Sequence, residues 1–326
     1  MILLVTILIH ATSDEIAFAD APQYLYYIDN LFFFRGDDWF VFEPFSKINF
    51  IALRAMTGDT EKTVALSHYF ISTVYLIGTL VIFPPRQANW RGLLMAFALY
   101  GSQLAFVTIR ATPAYMFTGI AMMQAFRGRY VSLFYMVVAI MFHISAALAL
   151  VPMAIVLAGS RIGDLRFIHN PRYLICLALL LGALAVVVGP AVVDVVKNVF
   201  QNIPFLGKYL VFAVGTSDTN GASIVESFAI GHFVLLAGIT AFVFMFLVVP
   251  DPLLRRLSIF VLFSYGLYLF VFLAFSPVAA FRQTPFWVIP AFSIFPWERV
   301  GWRGPAHILF LALALGMFVF QFSRVI

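Results

Sequence analysis

The chain has 326 residues, of which 63% are apolar and 11% charged, with 38 phenylalanines and a net charge of +5. A soluble globular domain carries roughly 25% charged residues, so this composition excludes one and describes a polytopic membrane protein. The positive balance reads as the bias of cytoplasmic loops and not as nucleic-acid binding.

Cys176 is the one cysteine, so no internal disulfide can form, and its apolar run makes it a small buried hydrophobe. No zinc-ligand spacing, phosphate-binding glycine loop or nucleotide motif is present, and no cofactor or metal is expected. No internal repeat is visible.

In chain order, residues 1–10 are apolar over about 15 Å of helix. They read as the tail of a span that starts upstream, or as a weak signal peptide ending at Ala17-Phe18-Ala19 without a positive n-region. Residues 11–62 form an acidic and aromatic segment with Asp14, Glu15, Asp20, Asp29, Asp37, Asp38 and Glu43. It enters a helix at Glu43-Pro44, since proline fits the first helical position and a carboxylate there favours the dipole.

A helix crossing hydrocarbon needs about 20 apolar residues. Candidate spans run 63–83, 92–109, 111–126, 173–193, 224–249, 257–275 and 305–322. A shorter one, 284–297, is interrupted by Pro285, Pro290 and Pro296, which is tolerated only where protein or a cavity covers the freed backbone groups.

The run 130–158 decides the topology. Basic loops follow the spans at Arg86 and Arg91, Arg127 and Arg129, Arg161, Arg166 and Arg172, Arg255 and Arg256, and Arg299 and Arg303. The positive-inside rule wants all of them on the cytoplasmic side. Read as one span, 130–158 defeats the rule for the loops after it. Two short helices meeting near His143, each of about 14 residues or roughly 21 Å, restore it. His143 then falls at an external turn, with Arg110, Arg282 and the segment 11–62 on the same side. The loop 194–223 is external too, with amphipathic stretches at 195–200 and 205–214 and a flexible turn from Thr216 to Gly221.

The chain thus reads as one all-α transmembrane domain over 1–326, with about 9–11 transmembrane or half-membrane helices. An ionisable residue near hydrocarbon is costly and marks function by default. Asp20, Glu43, Arg110, His143 and Arg282 all gather on one face. The plainer alternatives are a snorkelling anchor for either arginine, a helix-start carboxylate for Glu43, and a polar cap of a helix turn for His143. Glu226 near the external end of its span is a weaker candidate, and His232 reads as a packing residue.

Three pieces occur in order: Asp20 with Tyr24, then Phe42-Glu43-Pro44; Ile109-Arg110-Ala111 opening a helix that ends in Arg127-Gly128-Arg129; and Phe142-His143-Ile144-Ser145-Ala146. In this order and spacing, with Arg282 in a late loop, the chain resembles the EpsG family of bacterial exopolysaccharide synthesis, related to the Wzy-type polymerases of O-antigen-like glycans. It departs from that pattern in lacking a full first helix and in carrying Ala111-Thr112 after Arg110.

The resemblance implies a multi-pass protein of the bacterial inner membrane whose site faces the periplasm or exterior, similar to GT-C membrane glycosyltransferases. It implies transfer of a glycan from a polyprenyl-diphosphate carrier to an acceptor sugar hydroxyl, driven by the diphosphate leaving group without a nucleotide sugar. The expected partners are the lipid-linked oligosaccharide, membrane lipid and a chain-length regulator or other assembly proteins.

For that chemistry, Arg110 and Arg282 suit the diphosphate because a guanidinium binds phosphate through a planar fork. Glu43 and His143 suit the acceptor as positioning groups or general base. Asp20 and Tyr24 are candidates for sugar contact. A transporter or flippase of lipid-linked sugar, and a glycan ligase, are the rival readings; a transporter should carry repeat symmetry and a midplane site.

Overall fold

The computed structural model describes residues 21–30, 43–84, 89–106, 108–159, 230–274, 277–299 and 305–322, with parts of 176–198. Among these residues the backbone is helical and no strand forms. The first helices are α1 (Ala21–Asp29), α2 (Pro44–Thr57), α3 (Thr60–Ile82), α4 (Trp90–Ala96) and α5 (Ser102–Phe106). Next come α6 (Ala111–Phe126), α7 (Val131–Phe142) and α8 (Leu150–Gly159). After the partly described stretch follow α9 (Ile230–Val248), α10 (Pro252–Ala274), α11 (Pro277–Gln283), α12 (Pro285–Ile294) and α13 (Pro305–Phe322).

Among the described residues, three stretches are long and apolar enough to cross a bilayer: Thr60–Ile82, Gly231–Val248 and Leu257–Ala274. Val131–Phe142, Pro285–Ile294 and Ile308–Val319 are apolar but shorter. The protein is therefore an all-α membrane protein. The expected spans 63–83, 111–126, 257–275 and 305–322 correspond to α3, α6, α10 and α13, and α9 fills the described part of 224–249. The span at 92–109 is helical but contains a π-helical turn, Phe97–Gly101, between α4 and α5. Residues 1–10, Asp20, Glu226 and most of 194–223 lie outside the described residues.

Contacts group the chain into two compact units. The first holds residues 1–150, 292–294 and 315–326. In it, α2 and α3 form a hairpin. Gly58 takes the left-handed conformation (φ 67°) that closes α2, and its N–H donates to the Arg54 carbonyl; glycine takes this conformation without the Cβ penalty. Asp59 then caps α3, accepting from the Lys62 N–H at 2.8 Å.

Where helices associate in an apolar medium, close packing and hydrogen bonds replace the hydrophobic effect. Both occur here. A Cβ on Gly78 of α3 would lie 2.8 Å from the Met116 side chain, and one on Gly119 of α6 would meet Ile82. These pairs advance together along both helices, so α3 and α6 run parallel in close contact. Ser72 donates to the Ala105 carbonyl at 2.6 Å and Thr112 to the Leu104 carbonyl at 2.6 Å. Both acceptors lie just after the π-helical turn, where the regular bonding pattern is disturbed.

The run 130–158 is broken at His143, where the charge pattern places the junction of two short helices. α7 ends at Phe142, His143 is extended (φ −155°, ψ 121°), and a 3-10 turn, Ile144–Ala149, leads into α8. The second half thus begins as a tight 3-10 turn and not as a uniform α-helix. α6 and α7 form an antiparallel hairpin whose bend is Gly128, with φ 68°.

At one end of this unit, Asn89 donates to the carbonyls of Phe292 (3.1 Å) and Ser293 (2.5 Å), and Ser293 Oγ donates to the Ile82 carbonyl. The end of α3, the start of α4 and residues 292–294 at the end of α12 therefore meet within this unit.

The second unit holds residues 151–291 and 295–314. Its core is aromatic: Phe242 stacks on Trp297 at 6.0 Å, Phe295 meets Trp297 edge-on at 4.8 Å, and Trp297 stacks on Phe310 at 5.7 Å. Arg299 Nη1 binds Asp251 Oδ2 at 2.6 Å, joining two loops that the charge count assigns to one side. Cys176 departs from expectation: it is exposed. Burial inside protein is the wrong criterion for an apolar residue on a span, because hydrocarbon solvates it equally well.

Candidate functional site

Glu43, Arg110 and His143 come together. Arg110 Nη1 donates to Glu43 Oε2 at 3.1 Å, and His143 Nδ1 lies 3.9 Å from Glu43 Oε1. Glu43 is 3% exposed, against 21% for the Arg110 side chain and 15% for that of His143. A carboxylate this buried is costly unless it is paired, and the arginine offsets that cost.

Backbone geometry sets each of the three. Glu43 is the N-cap of α2 with Pro44 at the first helical position, yet its side chain makes no cap bond and turns to Arg110 instead. Arg110 is the N-cap of α6 and His143 the N-cap of the 3-10 turn. Three helix starts thus converge, and the partial positive charge at the starts of α2 and α6 complements the Glu43 carboxylate. The arrangement favours an anion.

The level of the cluster is a finding of the tertiary structure. Ile109, next to Arg110, packs with Ile71, Val64, Phe50, Ile28 and Tyr24 in one core. Ile71 lies eleven residues into α3 (Thr60–Ile82), about 17 Å from its start at 1.5 Å per residue. The same core reaches back to Val64, four residues into α3, so the residue before Arg110 is held by the first half of that helix.

Neighbouring groups fix the frame. Ser46 Oγ donates to the Phe142 carbonyl at 2.8 Å, satisfying an acceptor at the end of α7. The Phe142 ring stacks on Phe117 at 5.7 Å and meets Phe45 edge-on at 5.5 Å. His143 Nδ1 accepts from the Ser145 N–H at 3.2 Å and lies 2.7 Å from Ser145 Oγ. The cap reading of His143 is thus realised in the backbone, with the ring still beside Glu43.

The other predicted residues are placed differently. Tyr24 is 5% exposed, and its ring packs against Phe50 at 5.7 Å in the core behind Ile109. Asp20 lies outside the described residues. Arg282 is an exposed residue in the last turn of α11, where a cation complements the helix dipole; it belongs to the second unit. His232, in that same unit, meets Phe281 edge-on at 6.1 Å, in keeping with a packing role.

Sequence reading missed Lys47, Ser46 and His68. Lys47 is 5% exposed and one turn after Glu43 on the inward face of α2. The glutamate-to-lysine spacing of four was the available signal. His68 is fully buried inside α3, the kind of intramembrane ionisable group that marks function. Among the described residues no group of three or more His, Cys, Asp or Glu could hold a metal ion.

No protein-family model, no curated protein and no solved structure matches this chain.

Proposed function

We propose that this protein is a membrane glycosyltransferase that polymerises lipid-linked oligosaccharide repeat units. On this reading it works at the outer face of a bacterial inner membrane, on a glycan carried by polyprenyl diphosphate. Its chain would cross the membrane in about 9–11 full or half spans with a GT-C-like arrangement.

The observation that carries the reading is the convergence of Glu43, Arg110 and His143, with Arg110 bound to Glu43 at 3.1 Å across 67 residues of sequence. Each of the three motifs that resemble the EpsG family supplies one of these residues. Their chemistry fits the transfer. The acceptor hydroxyl oxygen bonds to the anomeric carbon of the donor glycan, the bond from that carbon to the diphosphate oxygen breaks, and the diphosphate leaves with its lipid. Arg110 offsets the charge on the leaving group, since a guanidinium stays charged and its planar fork suits phosphate. Glu43 and His143 flank the acceptor, and a carboxylate or imidazole at this place can orient its hydroxyl and serve as general base. By the resemblance alone, Arg282 is a further candidate for the diphosphate and Asp20 for the sugar, whereas Tyr24 is packed on Phe50 in the core.

The test is the polysaccharide length profile of cells carrying Arg110→Ala or Arg282→Ala, with lipid-linked intermediates analysed alongside. Loss of polymer with single repeat units accumulating on the outer face supports the polymerase. Wild-type chain lengths in both variants would overturn it. Repeat units trapped at the cytoplasmic face would point to a flippase, and full-length polymer held on its carrier to a ligase.

A further inference from the structure

We infer that Ser145 is a positioning residue that holds neutral His143 with its proton on Nε2, so that the ring meets the diphosphate as a hydrogen-bond donor and Glu43 alone is the base. The substrate in this statement rests on the transferase reading; the tautomer does not.

The argument starts from a backbone N–H, which can only donate. The Ser145 N–H points at His143 Nδ1 at 3.2 Å, so Nδ1 presents its lone pair there. A neutral imidazole with a bare Nδ1 carries its proton on Nε2. Ser145 Oγ, 2.7 Å from the same nitrogen, flanks it on the second side. Glu43 Oε1, at 3.9 Å, is beyond hydrogen-bond reach and does not compete for Nδ1.

The local fold gives the reason. His143 is extended (φ −155°, ψ 121°) at the start of the 3-10 turn. The Ser145 N–H is one of the first donors of that turn and has no acceptor within it. The ring two residues earlier supplies that acceptor, as cap side chains do.

The chemistry follows. In this state Nδ1 is engaged and Nε2 already protonated, so neither nitrogen of His143 can take the proton of the acceptor hydroxyl. That proton goes to the Glu43 carboxylate. An N–H donor helps most where negative charge develops, which in this reaction is the diphosphate oxygen released as the anomeric bond breaks. His143 thereby joins Arg110 in offsetting that charge.

Ring-nitrogen NMR of the full-length protein in bilayers, labelled at its six histidines, tests the tautomer directly. His143→Gln identifies the His143 signal by its loss. The expected spectrum at neutral pH has a bare Nδ1 and a protonated Nε2, and the Nε2 signal shifts on addition of inorganic pyrophosphate. In Ser145→Ala the Nδ1 signal moves while the other histidines stay in place. A proton on Nδ1 in the wild type, or an Nε2 signal unmoved by pyrophosphate, overturns the inference.

In cells, His143→Gln keeps an N–H donor and retains chain growth within about tenfold, the scale of one hydrogen bond. His143→Glu keeps a base without a donor and loses it. The reverse ranking overturns the inference. If the wild type makes no polymer at all, the transferase reading fails while the spectrum still decides the tautomer.

Discussion

At one end of the α6–α7 hairpin, Arg127 and Arg129 stand exposed on either side of Gly128. At the other, Arg110 is largely buried against Glu43 with His143 alongside. The residue type is the same, the helices are the same, and the treatment is opposite. An exposed arginine costs little and contributes little, because water or headgroups screen it. A buried one has to be matched by a carboxylate brought in from a distant segment, and such expense marks a site. On the proposed reading the bend is a charged anchor, and the buried end holds the groups offered to a ligand.

The contrast breaks most severely if one buried partner is removed. Arg110→Ala leaves the Glu43 carboxylate uncompensated and is expected to cost about 3–5 kcal/mol, read by denaturant unfolding in detergent micelles. Glu43→Gln on the same background recovers part of that loss, since no buried charge then remains. Failure of the double variant to recover would mean the two side chains are not coupled.

A smaller effect comes from Ser46→Ala, which strips the donor from the Phe142 carbonyl at the end of α7. The expected loss is about 1–3 kcal/mol, because an acceptor is left unsatisfied; faster amide exchange at the end of α7 would locate it. At the bend, Gly128→Ala meets no atom within 4 Å but must hold φ at 68°. Backbone strain of about 1 kcal/mol follows, and Gly128→Asn should lose less because asparagine tolerates that conformation. The smallest effect is Arg127→Ala, expected within about 0.5 kcal/mol. A larger loss would show that the bend is more than an anchor.

Much of this was legible beforehand. The break at His143 came from charge bookkeeping alone: the basic loops could share one side only if 130–158 turned back on itself. The helix start at Glu43-Pro44 followed from proline at the first helical position. Other features were not legible. Tyr24 looked like a sugar-stacking aromatic and is a core residue, because composition cannot tell a ring facing ligand from one facing Phe50. Lys47 and His68 passed unnoticed, since a lone polar residue in an apolar stretch gives no sign of whether it turns inward. Cys176 was expected inside and is exposed, because an apolar run in a membrane protein does not say which face meets lipid.

By itself the sequence determined the class of the molecule, the order of its helices and the residues worth watching. These follow from hydrophobic length, proline placement and the distribution of basic residues, all local properties of the chain. Only the tertiary structure decided which of those residues meet. Arg110 binds Glu43 across 67 residues, and Ser46 reaches Phe142 across 96. Contacts of that range depend on how α2, α6 and α7 pack, and side-chain packing leaves no periodic trace in the sequence. The Ser145 N–H aimed at Nδ1 of His143 was decided in the same way.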